Sequence, residues 1–252
     1  MKRTNVLVCG AVLLATLIGS GGVHAAEQQT PSPNNAKTTL TADLTTPDLK
    51  TPNPPTDPDN PTITENEPVD VKGEGGNLGI AYYPKAFAFS GKLGDDTLTL
   101  EDSGKNTSTT NTPYNVGVKD NTRQFNAWTL TAQLKWDGGE LPGSTLTIKN
   151  PNDGKVRKND NNGTSNFRAS DLVSQSEVIG TDPEIIIGSE EKTIMTKNTN
   201  TVCIGTYDYS LGNVGTLKLT IPSATYLSAK QYGGHVNWNL KMTPDVAQDS
   251  AG

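Results

Sequence analysis

The chain has 252 residues, 33% hydrophobic, 19% charged and 6% aromatic, with a formal net charge of −6. With 25 glycines and 16 prolines, that balance suits a turn-rich all-β protein with one modest core better than a helical enzyme. The acidic charge also argues against nucleic acid as a partner, which calls for a basic patch.

Residues 1–25 read as a signal peptide. Met1, Lys2 and Arg3 supply a positive start, Val6 to Ile18 an apolar run, and Val23, His24 and Ala25 a cleavage site. The run falls short of the roughly 20 residues that span a bilayer. It ends in Gly19, Ser20, Gly21 and Gly22, so the expectation is a secreted protein with no membrane span after cleavage. A retained anchor is the alternative. Cys9 lies inside the run and not at a cleavage junction, which argues against a lipid anchor. Loss of Lys2 and Arg3 takes the charge from −6 to −8 and leaves one cysteine, Cys203. No internal disulfide can then form, and packing alone must hold the fold. Between Val202 and Ile204, Cys203 reads as a small buried hydrophobe.

Residues 26–71 read as a disordered linker rich in Pro, Thr and Asn. Nine prolines, from Pro31 to Pro68, are interleaved with Thr, Asn and Asp, and no aromatic occurs. Such a segment buries too little apolar surface to offset its ordering entropy. A stalk that spans the wall fits the same composition.

From residue 72 to 244 short alternating runs are separated by turn residues, and 245–252 form a C-terminal tail. Strands are expected at 77–83, 86–89, 97–100, 114–120, 127–135, 145–149, 184–187, 202–207, 215–221 and 234–241. The part from 150 to 200 reads as a long insertion with one or two short strands. No stretch has helical periodicity, so the expected fold is a single β-sandwich-like domain of Ig-like or Greek-key type, with two sheets closed on one core.

The clearest strand is Asn126–Trp136. Trp128, Leu130, Ala132, Leu134 and Trp136 alternate with Thr129, Thr131, Gln133 and Lys135, the pattern of a half-buried strand. Near the C-terminus Val236, Trp238, Leu240 and Met242 alternate with His235, Asn237, Asn239 and Lys241. Both strands contain Trp-x-Leu.

Other motifs lack parts. Leu141-Pro142-Gly143-Ser144-Thr145 has the composition of a sortase signal in the wrong order, so covalent wall anchoring is not expected. Lys158 to Gly163 is similar to a calcium loop but begins with Lys and has no closing Glu. His235 is the only histidine after cleavage, which excludes multi-histidine zinc sites and leaves a Ser-His-Asp set unsupported. The pairs Asp95-Asp96, Glu101-Asp102 and Glu190-Glu191 show no convergent carboxylates for a glycosidase. No catalytic residue, metal site or cofactor is therefore expected. Lys149, Lys155, Arg157 and Lys158 read as a solvated basic loop, with phosphate contact as the alternative.

The two Trp-x-Leu motifs, Trp128-Thr129-Leu130 and Trp238-Asn239-Leu240, resemble those of the WxL-domain cell-surface proteins of low-GC Gram-positive bacteria. Leu78 to Pro84 resembles that domain's opening strand, Val116 to Asp120 with Arg123 its strand before the first Trp, and Tyr232 to Pro244 its closing strand. The resemblance departs at Asn239, where Thr is usual, and at Phe89-Ser90-Gly91, where a Phe-Gly pair is usual. It implies a family motif of Trp128, Leu130, Trp238 and Leu240, with Asp120, Arg123 and Tyr232 as further motif positions. It also implies location at the cell wall, non-covalent attachment through peptidoglycan and assembly with other surface proteins of the same locus. An alternative is an adhesin whose main partner is a host extracellular-matrix protein.

Physically, the Trp pair has two readings: a platform on which sugar rings stack, or an apolar face turned inward to pin two neighbouring strands. A row of large apolar groups on one face favours the second, with binding left to loops and an outer strand face. At −8 the mature protein gains nothing from long-range attraction to anionic wall polymers, so recognition should rest on local contacts.

Overall fold

The fold is that of a computed structural model, which describes residues 37–44, 50–71, 77–94, 96–104, 109–198 and 200–243. The expected signal peptide, residues 26–36 and 45–49 of the expected linker, and the C-terminal tail lie outside the described residues. The chain divides into two units, 1–44 and 45–252. In the first, residues 37–44 are exposed and have no regular secondary structure.

The second unit is all-β. Its first strands are Asn66–Pro68 (β1), Leu78–Pro84 (β2), Leu98–Glu101 (β3), Pro113–Asp120 (β4) and Ala127–Trp136 (β5). Then come Thr145–Lys149 (β6), Arg157–Asn159 (β7), Leu172–Ser174 (β8), Val178–Gly180 (β9) and Glu184–Ile187 (β10). Lys192–Lys197 (β11), Gly205–Asn213 (β12), Lys218–Ile221 (β13) and Gly234–Thr243 (β14) complete the set. Three antiparallel sheets form, with strand orders β1-β2-β4-β12-β7-β8, β10-β6-β13-β3 and β14-β5-β11-β9. The expected sandwich-like domain is thus built from three sheets where two were expected. Successive strands change sheet: β3, β4, β5 and β6 lie in the second, first, third and second.

Period-two alternation places the core. Val116 and Val118 of β4, Tyr207 and Tyr209 of β12, Leu146 and Ile148 of β6, and Ile185 and Ile187 of β10 join Trp128 and Leu130 of β5 in one apolar cluster. Cys203 is buried with them, and burial pushes its thiol up to about 11, so it packs as the expected hydrophobe.

The insertion expected between 150 and 200 is instead woven into all three sheets through β7 to β11. Strand β11 lies between β5 and β9, and a register shift between Thr193 and Met195 buries Ile194 and Met195 together. That bulge breaks the alternation that marks a strand in sequence. The strand expected at 202–207 begins at Gly205 and runs to Asn213, because Thr206, Asp208 and Ser210 are buried on its polar side. Residues 86–89 form no strand, and Phe89 makes only an isolated bridge to Asp102.

The expected linker also requires correction, since its part from Lys50 to Val71 is packed onto the first sheet. Pro52, Pro54 and Pro55 are buried, and β1 pairs with β2. Proline carries no N–H and a pre-set φ, so the proline positions order at low entropic cost and need donors for their carbonyls alone. Thr64 Oγ1 and Asn66 Nδ2 each donate to the Pro55 carbonyl at 2.9 Å, and Asn159 Nδ2 donates to Asn53 at 3.0 Å. Asp57 is buried and accepts from the Thr109 and Thr112 hydroxyls and from the Asp59 and Asn60 amides, which hold its carboxyl at about 2.

Beneath this roof the Tyr82 ring lies across Gly117, where an added Cβ would come within 2.4 Å of Tyr82 Cζ. Tyr82 is buried and donates its hydroxyl to Asp208, so the ring has nowhere to retreat. Gly117→Ala should therefore lower stability by about 1–3 kcal/mol, read as a drop in thermal midpoint with the far-UV spectrum retained at low temperature.

Candidate functional site

The two Trp-x-Leu strands are hydrogen-bonded neighbours. β14 runs antiparallel to β5 with Trp238 opposite Ala132, Leu240 opposite Leu130, Met242 opposite Trp128 and Val236 opposite Leu134. These pairs share the inward face, so both tryptophans project from the same side of one ribbon. Trp128 and Leu130 are fully buried, whereas Trp238 and Leu240 are half-buried because β14 is an edge strand.

The buried end of this ribbon holds a charged cluster. Trp128 Nε1 donates to Asp120 Oδ2 at 2.8 Å, and Thr122 donates its amide (3.0 Å) and hydroxyl (2.7 Å) to Asp120 Oδ1. Lys197, directly opposite Trp128 on β11, brings its ammonium to 3.6 Å from Asp120 Oδ2, and both side chains have 0% exposure. The same ammonium donates to the Gln124 carbonyl at 2.8 Å, the Asn126 carbonyl at 2.6 Å and Asn126 Oδ1 at 3.0 Å. The cluster joins the end of β4 in the first sheet to β5 and β11 in the third, and it folds the 121–126 turn onto them.

Of the other expected positions, Arg123 sits on that turn, exposed and at φ 57°, the left-handed region. Tyr232 lies on the loop before β14, where its hydroxyl donates to the Ser228 carbonyl at 2.8 Å and Lys230 Nζ stands 4.9 Å from its ring centre. Asp120 therefore joins Trp128, while Arg123 and Tyr232 stand outside the buried cluster. Lys197 was missed, since a lysine between Thr196 and Asn198 carries no mark of burial in sequence. On the ribbon's outer face Asn239 Nδ2 donates to Glu191 at 3.1 Å, and Lys241 pairs with the same carboxylate.

A second polar assembly lies on the outer face of the first sheet. Asp208 is buried and accepts from Tyr82 Oη and Asn115 Nδ2, both at 2.8 Å. Burial raises its carboxyl from 3.8 to about 7, against the pull of those two donors. Strand register puts Asp208 opposite Arg157, which in turn faces Ser174, and puts Ser210 opposite Asn115. A cleft of about 800 Å³ opens here, floored by Asn115, Ser210 and Arg157 and walled by Pro55, Pro58 and Phe167.

Among known families, the model described as WxL domain surface cell wall-binding matches residues 26–244. No curated protein and no solved structure matches.

Two outcomes follow from these buried groups. Trp128→Phe keeps an aromatic ring but removes part of the buried indole and strips a donor from a buried carboxylate, and should cost at least about 1–3 kcal/mol. Its melt should fall while wall binding persists below the transition; lost binding at an unchanged midpoint would contradict a structural role. Asp208 has a raised folded pKa, so its proton stabilises the native state fully below about pH 4, and that contribution is lost as pH rises towards about 7. Thermal midpoints from pH 4.5 to 7.5 should fall more steeply for the native sequence than for Asp208→Asn, and parallel curves would refute the assignment.

Proposed function

This chain belongs to the WxL domain family of surface cell wall-binding proteins, and from that footing we propose that peptidoglycan is its wall ligand, held without a covalent bond. The cell surface is its place of work and the wall its binding partner. The finer reading is a binding module, not a catalyst, that acts as a scaffold beside other surface proteins of the same locus.

One observation carries the division of labour within it. Trp128 and Leu130 have no exposed surface and the Trp128 N–H is already used on Asp120. A residue so placed cannot stack on a sugar ring, which supports the motif as the element that holds the fold. Trp238 and Leu240 extend the same inward row, which supports the same role for the second copy. Wall contact then belongs to loops and outward faces, where Arg123 and the cleft residues Asn166 and Arg168 are open to solvent. Removing a buried Trp costs roughly 3–5 kcal/mol, a large part of a total of about 5–15 kcal/mol. Loss of binding in a Trp128→Ala protein would thus report unfolding.

The deciding measurement is co-sedimentation of the purified mature protein with sacculi from its own cell type, before and after removal of secondary wall polymers. Retention on stripped sacculi is the expected result. Binding to host matrix proteins alone, with none to sacculi, would replace this reading with the adhesin.

A further inference from the structure

We infer that the cleft over the outer face of the first sheet is the seat of a peptidoglycan stem peptide, with Arg157 and Arg168 taking its terminal carboxylate. The inference rests on the peptidoglycan reading above and names the part of that polymer recognised.

Three features point to such a ligand. The first is charge. Arg157 and Arg168 both line the cleft, and neither forms an ion pair among the described residues. Arg157 Nη1 donates to Ser174 Oγ at 2.7 Å, which leaves its remaining donors for a ligand and fixes the plane of the guanidinium. Two guanidinium groups in an acidic protein make a local site for a carboxylate, which each can bind through paired N–H donors. Asp57 lies on the same wall, but its carboxylate is spent on Thr109, Thr112 and two backbone amides.

The second is the floor. Asn115 and Ser210 are buried and polar, and they close the cleft from below.

The third is the lining. Asn111, Asn152, Asn166 and Asn213 each offer both a donor and an acceptor, the complement of a peptide amide. Pro55, Pro61, Phe167 and Leu172 supply apolar wall for small side chains such as alanine methyls. About 800 Å³ lies within the usual range of ligand pockets, roughly 300–1,000 Å³.

The test is calorimetric titration of the full-length protein with N-acetylmuramyl pentapeptide and with the same compound amidated at its terminal carboxyl. Amidation should weaken binding about tenfold or more. Arg157→Gln and Arg168→Gln should each weaken the free acid by a similar factor, and the double variant should be indifferent to amidation. The amidation arm uses the unaltered protein, so it stands even if a variant melts early. Equal affinity for acid and amide overturns the inference, as does retention on sacculi without muropeptide binding, which would leave wall attachment intact and place it elsewhere. Binding lost when teichoic polymers are stripped from sacculi also overturns it, in favour of a phosphate ligand. Failure on intact sacculi as well would instead remove the peptidoglycan reading itself.

Discussion

Asp120 carries a buried negative charge at the end of β4, and its partners come from different parts of the fold. Thr122 closes the turn that follows, Trp128 reaches from β5, and Lys197 comes from β11 on the far side of Trp128. A charge with no exposure is tolerable only when it is paired and its lone pairs are filled. Here Lys197 of another sheet meets the first condition, while Trp128 of that sheet and Thr122 of the following turn meet the second. Removal of Lys197 alone would strand the carboxylate, at a cost of roughly 3–5 kcal/mol for a broken buried pair. Apolar packing would hold the two sheets together in many registers. The Asp120 cluster permits one, because the indole N–H, the ammonium and the carboxylate meet at one relative placement of β4, β5 and β11.

That constraint explains why a tryptophan stands at position 128 and not another large apolar residue. Its ring fills the core and its N–H satisfies the carboxylate, a combination no aliphatic side chain offers. The second tryptophan faces a different demand. Trp238 is on an edge strand, half-buried, and lies opposite Ala132, whose small side chain leaves room beside it. Large against small across the ribbon is a packing arrangement, and it makes β14 the lid of the third sheet.

How much of this was legible depends on which signals survive burial on two sides. The pairing partners β5 and β14 could be read directly, since each keeps one polar and one apolar face over ten residues. β11 could not, because its bulge puts Ile194 and Met195 inward together. The far half of β12 was hidden for another reason: Asp208 and Ser210 look like turn residues, yet the proline segment covers them. Composition also misjudged that segment. Prolines lower the entropy lost on ordering, and Asn side chains donate to the segment's carbonyls, Asn66 from within it to Pro55 and Asn159 from β7 to Asn53. Of the motif positions, Asp120 and Trp128 meet, but Lys197, the third member, had no pattern to announce it.

The roof over the first sheet changes what the outer face can be. An open sheet face would present only alternating polar side chains to solvent, a surface with little shape. Laying Pro52 to Asp57 across it turns that surface into a cleft with a polar floor and apolar walls, and puts Asn115 and Asp208 out of reach of bulk water. Arg157 belongs to the basic run that composition assigns to a solvated loop, yet its strand register aims it along the same row as Asp208 and Ser174. The inward tryptophans and the outward cleft therefore occupy opposite sides of separate sheets, joined through Asp120. Trp128 belongs to that joint, whereas the cleft's arginines lie on a surface the core does not need.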